Sequence, residues 1–296
     1  MAITANILTN GGNMPTTLVR EMFQGVQGHS ALAKLSPAKP MAFNGITEFV
    51  FDMDTEADIV AENDPKTEGG GTATAVKIVP VKFEYGMRAS DEFIKGSEEY
   101  QLDVLERFIE GASRKFARGL DIAAMHGLNP RTGSASGVVG TNNFDSKVSN
   151  TDTYNASAPD GNLDAVVANI DRKVTGLAMG PTFASAMASL KVNGVPQYPE
   201  FRFGAVPESF YGMGVDVNGT VETGAVDYAL IGDFDAFRWG YGQNVELEVI
   251  RFGDPDNTGV DLRGHNQVYL RCEAYIGWGI LDKDAFGLVI AGGSGN

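Results

Sequence analysis

The segment from residue 46 to residue 88 constrains the fold more than any other part of the chain. Its first residues, ITEFVFDM, place alternate side chains from Thr47 to Met53 on one face of a strand, and VKIVPVKFEYGMR predicts a second strand over residues 76–88. The stretch between them is polar, acidic and glycine-tipped, so we expect one long two-stranded arm with a flexible end. An isolated two-stranded ribbon is marginally stable in water at best. The arm therefore needs another surface to lie on, and a second copy of the protein is the first candidate.

A long amphipathic helix is predicted after the arm, from Ser97 to His126. Ser97 is a suitable N-cap, and two glutamates follow it in the first turn, where the helix dipole favours negative charge. Apolar residues then recur at three- and four-residue steps, at Leu102, Leu105, Ile109, Ala112, Phe116, Leu120 and Ala123. Gly127 and the Asn129-Pro130 pair end the pattern. Such a helix spans ~45 Å at ~1.5 Å per residue.

The whole pattern predicts an α+β protein. Residues 1–45 contain paired glycines and several prolines, which indicates an extended arm with one short amphipathic piece around Leu18–Val26. Residues 131–161 are rich in small polar residues and are predicted to be loop. Beyond them we expect helices over 163–174 and 183–191, and strands over 226–232, 245–252, 266–276 and 286–290.

Composition excludes several classes of protein. The formal net charge is −15, and no segment carries the basic footprint of tight nucleic-acid binding. The sequence has no apolar run long enough to span a membrane and no signal-peptide pattern at its N-terminus. Cys272 is the single cysteine, which excludes an intrachain disulfide framework, and its place in an alternating strand predicts a buried apolar role.

No motif for catalysis or cofactor binding is present in the sequence. Residues 133–137 are GSASG, with alanine where the nucleophile serine would stand, and no phosphate-binding glycine loop occurs. His29, His126 and His265 are isolated and are predicted to have ordinary polar roles. We therefore predict no catalytic residues and no cofactor, although a triad assembled from remote residues stays open.

One segment has the beginning of a calcium-binding pattern. Asp254, Asp256 and Thr258 place oxygen side chains at alternate positions, with Gly259 sixth. The twelfth position is His265 instead of a bidentate glutamate, and predicted strands flank the segment instead of helices. Asp, Pro, Asn and Gly are also common turn residues, so a strand–strand turn is favoured over a metal site.

Opposite charges on the arm and the long helix suggest how two copies would meet. The acidic contacts that we predict on the arm are Asp54, Glu56, Asp58, Glu62, Asp64 and Glu68. The predicted basic contacts on the helix are Arg107, Arg114, Lys115 and Arg118, of which the first, second and fourth share one face. Our hypothesis is that the acidic arm of one subunit lies along the basic face of the next. The alternative is that Glu106, Glu110 and Asp121 neutralise these bases within their own helix.

The order of these elements resembles that of the major capsid proteins of tailed bacteriophages, which have the Hong Kong 97 fold. That order is an extended N-terminal arm, an acidic hairpin, a long helix, a mixed α/β segment and returning strands. Short motifs accompany it: Leu190-Lys191-x-x-Gly194-x-Pro196, Ile231-Gly232-Asp233-Phe234, and Arg271-x-Glu273 followed by Gly277 and Asp284-Ala285-Phe286. The resemblance covers most of the chain and implies a structural protein, not an enzyme.

The resemblance also implies how the chain is divided. Residues 1–45 are then the N-terminal arm, and residues 46–92 are an extended loop that lies over a neighbouring subunit. Residues 93–140, with the spine helix, and residues 241–296, with the returning strands, form the peripheral domain. Residues 141–240 form the axial domain, which meets its copies around capsomer centres.

The partners implied by the resemblance are first of all copies of the same chain. Hexamers and pentamers would form an icosahedral virion capsid in the host cytoplasm, enclosing DNA without binding it tightly, with a portal and decoration proteins and no membrane. Because the chain enters the arm directly after Met1, we expect a separate scaffolding protein or none. Two alternatives stay open: an encapsulin-type compartment that encloses enzyme cargo, and a soluble hydrolase whose hairpin is a lid.

Overall fold

The computed structural model describes residues 16–53, 55–242 and 246–292, which form a mixed α/β fold. The helices are α1 (Thr16–His29), α2 (Ala31–Leu35), α3 (Glu92–Lys95), α4 (Glu98–His126), α5 (Phe144–Lys147), α6 (Pro159–Val167) and α7 (Pro181–Ser189). The strands are β1 (Ile46–Met53), β2 (Gly71–Ile78), β3 (Val81–Ser90), β4 (Thr151–Thr153), β5 (Gly176–Met179), β6 (Lys191–Val192), β7 (Val195–Pro196), β8 (Ser209–Phe210), β9 (Met213–Val217), β10 (Asp227–Gly232), β11 (Phe237–Tyr241), β12 (Glu246–Ile250), β13 (Gln267–Ile280) and β14 (Phe286–Ile290).

The long helix α4 lies at the centre of the larger core. Ser97 caps it by accepting a hydrogen bond from the backbone N–H of Tyr100, and Gly127 ends it in the left-handed conformation, with a φ of 67°. The apolar positions predicted along the helix are buried, apart from Leu102, which is half-buried. The predicted helix, its cap and its end are confirmed.

A four-stranded antiparallel sheet packs on α4, with β13 as its central strand. β3 pairs with one edge of β13, and β11 and β12 follow each other along the other edge. The predicted apolar face of β13, on which Val268 and every second residue up to Trp278 lie, is buried. Cys272 on this face is fully buried, and burial raises the pKa of its thiol to about 12. The predicted apolar role of Cys272 is therefore confirmed.

The arm is shorter than the sequence predicts, because the predicted second strand is divided into β2 and β3, and only β2 belongs to the arm. β2 pairs antiparallel with β1, from Ile46 opposite Ile78 to Met53 opposite Gly71. β3 leaves the arm and pairs with β13. The break falls at Pro80, which has no N–H to donate to a ladder and restricts the residue before it. The expected single strand over residues 76–88 is therefore wrong, and we use "the hairpin" for residues 46–78.

The hairpin is anchored to the body of the protein at its base. Ile78 is fully buried there. Gly45 turns the chain into β1 with a φ of 85°, and a Cβ atom at this position would lie 2.2 Å from the carbonyl oxygen of Ile78, so only glycine fits. Lys39 and Glu48 add an ion pair at 3.8 Å. The base thus fixes the direction in which the hairpin leaves the protein.

A second sheet is covered on both faces. Its strand order is β4-β14-β10-β5-β9-β8, with β4 parallel to β14 and β5 parallel to β9. Leu230 of β10 belongs to the core that contains α4, whereas Ala229 and Ile231 belong to a second core with α6 and α7. The predicted strands over 226–232 and 286–290 correspond to β10 and β14, and the predicted helix over 183–191 corresponds to α7.

Residues 16–35 are mainly helical, which corrects the expectation of an extended arm there. α1 packs with Met22 and Val26, one turn apart, fully buried in the core of α4. The two helices approach closely at Gly25, where a Cβ atom would lie 2.5 Å from the hydroxyl oxygen of Ser113. The amphipathic piece predicted at Leu18–Val26 is therefore part of a longer helix. Gly25 in this helix allows α1 to pack closely against α4.

Three smaller elements also differ from the prediction. Residues 131–161 contain α5, β4 and the start of α6, where we expected loop, and α6 ends at Val167, well before residue 174. α5 has four residues and β4 has three, which is too short to leave a periodic pattern in the sequence. β4 depends on its parallel pairing with β14, which no local signal reveals.

Asp121 on α4 connects three parts of the fold through one buried carboxylate. It accepts hydrogen bonds from the hydroxyl groups of Ser30 and Thr220, and from the backbone N–H groups of Ala31 and Leu32 at the start of α2. Burial raises the pKa of Asp121 to about 6, although these hydrogen bonds oppose the shift, so the group is ionised at neutral pH. The alternative in which Asp121 neutralises a base of its own helix is wrong.

Replacement of Asp121 by asparagine should destabilise the subunit by about 1–3 kcal/mol. The side-chain amide brings N–H donors to a position where the carboxylate accepted four hydrogen bonds, so a buried donor loses its partner. Chemical denaturation of the unassembled subunit, followed by circular dichroism, measures the change. Glu106→Gln alters an exposed acid on the same helix and is the control. Equal stability of Asp121→Asn and the unsubstituted chain would contradict this role.

Candidate intersubunit surfaces

The hairpin carries an uncovered apolar stripe on β1. Phe49, Phe51 and Met53 lie on one face and are 65%, 66% and 72% exposed. The residues opposite them in β2 are two alanines and a glycine, which are too small to cover these side chains. Contiguous exposed apolar side chains mark interaction surfaces. This apolar stripe, defined by Phe49, Phe51 and Met53, is therefore the strongest candidate contact on the hairpin.

The acidic tip of the hairpin, residues 55–70, follows the apolar stripe and is exposed throughout. Thr67 donates a hydrogen bond of 2.8 Å to Asp58 across the tip. Within residues 55–70, the acids form no ion pair with the described basic residues. The predicted acidic contacts located on this tip are Glu56, Asp58, Glu62, Asp64 and Glu68. Asp54 lies outside the described residues.

The predicted basic residues of α4 fall into two groups. Arg107 forms an ion pair with Asp103, and Arg114 forms one with Glu110, each with a residue one turn earlier. Lys115 and Arg118 are exposed, and neither has an ion-pair partner in the part of the chain that the structure describes. Neutralisation within the helix thus applies to the first two bases, with Asp103 as a partner that the sequence did not suggest. Lys115 and Arg118 remain available to another chain.

The candidate metal ligands Asp254, Asp256 and Thr258 surround an arginine. Arg88 of β3 donates hydrogen bonds to both carboxylates, to the hydroxyl group of Thr258 and to the carbonyl oxygen of Val260. The pairing of β3 with β13 brings Arg88 to this loop. The guanidinium group already supplies the positive charge at the centre of the loop, which favours the turn over a calcium site.

Arg88 also determines the electrostatics of this loop. Its hydrogen bond and charge hold the pKa of Asp256 well below its usual range, and Asp256 in turn raises the pKa of Arg88. Both groups therefore stay ionised at neutral pH. The loop is closed by charge-assisted hydrogen bonds, which are shorter and stronger than neutral ones.

A second group of ionisable side chains is buried between α4, α5 and β10. Nδ1 of His126 lies 3.0 Å from a carboxylate oxygen of Asp145 and 3.7 Å from one of Asp227. Burial, and then the facing carboxyl group of Asp145, raise the pKa of Asp227. We call these three residues the histidine–aspartate cluster. No local pattern in the sequence indicates this cluster, because its members are far apart in the chain.

The chain has relatives of known structure and family. The model of the phage capsid family matches residues 10–289. A solved structure from Mycobacterium phage Ogopogo is 30% identical, with a TM-score of 0.71, and the match covers 89% of this chain and 92% of that chain. The chain therefore belongs to the phage capsid family. No curated protein sequence gives a significant match.

Two further solved structures share the fold. One, from Gordonia phage Cozz, is 24% identical with a TM-score of 0.71, and the match covers 89% of this chain and 86% of that chain. The other, the capsid of the native GTA particle, is 14% identical with a TM-score of 0.60, and the match covers 88% and 89%. The expected Hong Kong 97 fold is confirmed, and the protein is a major capsid subunit of a phage shell.

This family is structural and belongs to the virion capsid, so the encapsulin-type and hydrolase alternatives are not favoured. Among the described residues, no helix combines the length and the apolar character needed to cross a bilayer. The candidate contact residues that we did not predict are those of the apolar stripe. The alternation in the sequence already placed Phe49, Phe51 and Met53 on one face. The residues opposite them in β2 are small, which indicates that this face is not covered by its own hairpin.

Replacement of Arg88 by glutamine should loosen the loop of residues 251–266. Asp254 and Asp256 would then repel each other without the guanidinium group between them. Limited proteolysis should cut the variant faster within this loop, and mass spectrometry locates the cut. Arg263→Gln, which changes an exposed arginine on the same loop, should behave like the unsubstituted protein. Protection of the unsubstituted loop by added Ca²⁺ would contradict the assignment of Arg88 as its cation.

Proposed function

We propose that copies of this chain assemble as hexamers and pentamers into a closed icosahedral shell around phage DNA, with the hairpin of each subunit lying over a neighbour. The observation that carries this proposal is the apolar stripe. Three large apolar side chains project into water from a ribbon that its own chain anchors at the base. Membership of the phage capsid family supports the closed shell.

The apolar stripe contributes more to this contact than the charges of the hairpin do. Full burial of a Phe or Met side chain stabilises by about 1.5–3 kcal/mol. An exposed ion pair contributes only about 0.2–1 kcal/mol. Phe49, Phe51 and Met53 are each about two-thirds exposed in the single chain, so most of that gain is still available to a neighbour. We therefore assign the strength of the contact to the stripe.

The acidic tip determines where the hairpin lies on the neighbour. On α4, the predicted contacts Lys115 and Arg118 have no ion-pair partner among the described residues. We propose that the acidic tip of one subunit binds these two side chains of the adjacent subunit. Arg107 and Arg114 contribute less, because Asp103 and Glu110 already neutralise them. Since exposed pairs are screened by salt, high ionic strength should weaken this part of the contact.

The two sheets support a division of the chain into domains. We propose residues 1–45 as the N-terminal region, residues 46–78 as the extended loop, and residues 141–240 as the axial domain. The peripheral domain then takes residues 79–140 and 241–296, because β3 pairs with β13 and not with the hairpin. This shortens the extended loop from the expected 46–92.

The net charge is consistent with the proposed contents of the shell. With a formal net charge of −15 per subunit, the shell attracts DNA only weakly and can enclose it without binding it tightly. We also propose that assembly takes place in the host cytoplasm, with a scaffolding protein or none, and with a portal and decoration proteins. Family membership is the support for these partners.

Replacement of Phe49 and Phe51 together by serine should prevent shell assembly and leave the subunit folded. Both side chains are exposed in the single chain, so little of its core depends on them, whereas the contact with a neighbour loses its main apolar area. Light scattering and negative-stain microscopy measure assembly, and circular dichroism measures folding. Val50→Thr, on the opposite face of β1, is the control. Shells of normal yield and stability from the double variant would refute the role of the stripe.

Reversal of Lys115 and Arg118 to glutamate should weaken assembly less than loss of the stripe does, and mainly at low salt. The added negative charge repels the acidic tip of the neighbour. Glu62→Lys with Asp64→Lys in the same chain should partly restore assembly. Arg107→Gln with Asp103→Asn removes a neutralised pair and serves as the control. If the salt dependence of assembly is the same with and without the reversal, the acidic tip does not bind Lys115 and Arg118 of the neighbour.

A further inference from the structure

The histidine–aspartate cluster brings three hydrogen-bond acceptors together. Nε2 of His126 lies 3.0 Å from the backbone carbonyl oxygen of Thr220, so this nitrogen carries the proton of the neutral ring. Nδ1 then presents its lone pair to a carboxylate oxygen of Asp145 at 3.0 Å and to one of Asp227 at 3.7 Å. One ligand atom from each residue lies within 4.8 Å of the other two. Acceptors at these distances repel one another unless a proton or a metal cation lies between them.

Burial makes this repulsion costly. The side chains of His126 and Asp227 are 1% and 3% exposed. Oδ1 of Asp227 and Oδ1 of Asp145 are also buried, and neither accepts a hydrogen bond from any described residue. Among the described residues, no lysine or arginine forms an ion pair with either carboxyl group, and the basic side chain beside them is His126. The cluster therefore holds two carboxyl groups in a poorly hydrated site, which calls for a shared proton or a bound cation.

The position of His126 adds to this demand. It is the last residue of α4, and the carbonyl end of a helix favours positive charge. Asp145, on the other side of the cluster, is 21% exposed and leaves an approach from solvent. The cluster is thus a buried site of two carboxyl groups and an imidazole, with an opening at one edge.

We propose that the cluster binds a divalent transition-metal ion of the zinc type through Nδ1 of His126 and the carboxylates of Asp145 and Asp227. Ligands on a tetrahedral zinc ion, bound at about 2.0–2.1 Å, lie about 3.3 Å apart. The distances of 3.0 and 3.7 Å from Nδ1 to the two carboxylates lie on either side of that value.

The surroundings of His126 also fit a metal ligand. A ring nitrogen that binds a metal commonly has its partner N–H held by a backbone carbonyl, as Thr220 holds Nε2 here. One imidazole and two carboxylates suit zinc better than Ca²⁺ or Mg²⁺, which prefer oxygen ligands alone. The ion would join the end of α4 to α5 and β10, and so connect the proposed peripheral and axial domains within one subunit.

The test is zinc binding to the full chain after treatment with a chelator. Isothermal titration calorimetry and elemental analysis after dialysis should give one Zn²⁺ per chain, and Zn²⁺ should raise the melting temperature. Asp145→Asn should weaken binding by at least about tenfold, because loss of an outer partner alone typically costs 10–100-fold. His265→Gln removes an exposed histidine elsewhere and should bind zinc normally. Ca²⁺ and Mg²⁺ should bind more weakly than Zn²⁺.

Absence of zinc binding would overturn the proposal, and would leave protons shared within the cluster as the source of positive charge. Zinc binding that is unchanged by both Asp145→Asn and His126→Gln would also overturn it, because the ion would then lie elsewhere. If His126→Gln does not fold, Asp145→Asn decides the matter alone, since Asp145 lies at the partly exposed edge of the cluster.

Discussion

The packing of β13 on α4 is the contact on which the rest of the structure depends. Leu270, Cys272 and Ala274 of the strand are fully buried in the core that contains the helix. Because β3 pairs with β13 along this contact, the sheet fixes where the hairpin leaves the protein and brings Arg88 to the loop of Asp254 and Asp256. A capsid subunit thus obtains a rigid base for its most projecting element from one helix–sheet interface.

The hairpin and the body of the subunit are stabilised in different ways. The body has two apolar cores, which the second sheet separates and both of which it helps to form. The hairpin has a ladder of backbone hydrogen bonds and an apolar face that remains in water. A ribbon of this kind gains most of its side-chain burial from another molecule. In our proposal, folding of the subunit and formation of the shell therefore depend on different side chains.

Charged groups have three distinct roles in this acidic protein. Asp121 is buried and holds the start of α2 on α4 through hydrogen bonds. Arg88 closes the surface loop that contains Asp254 and Asp256 by neutralising these two acids. The acids of residues 55–70 are solvated and, in our proposal, meet the bases of a neighbour. The same residue types therefore serve the interior, a loop and an interface, according to the partners that the fold places beside them.

The sequence by itself determined the elements whose pattern is long. The cap at Ser97, the apolar positions of α4, the buried face of β13 and the alternation of β1 were all predictable, because many residues repeat one signal. The family resemblance rested on the order of these elements, and it was confirmed.

The tertiary structure alone decided the pairings between remote segments. Pro80 divides the predicted strand, but its two halves have different partners only because β13 offers an edge to β3. β4 forms because it pairs with β14. The same holds for Arg88 among the acids of residues 254–258, and for His126 beside Asp145 and Asp227. Local patterns report how a segment meets water and its own neighbours, whereas contacts across such distances in the chain depend on how whole elements pack.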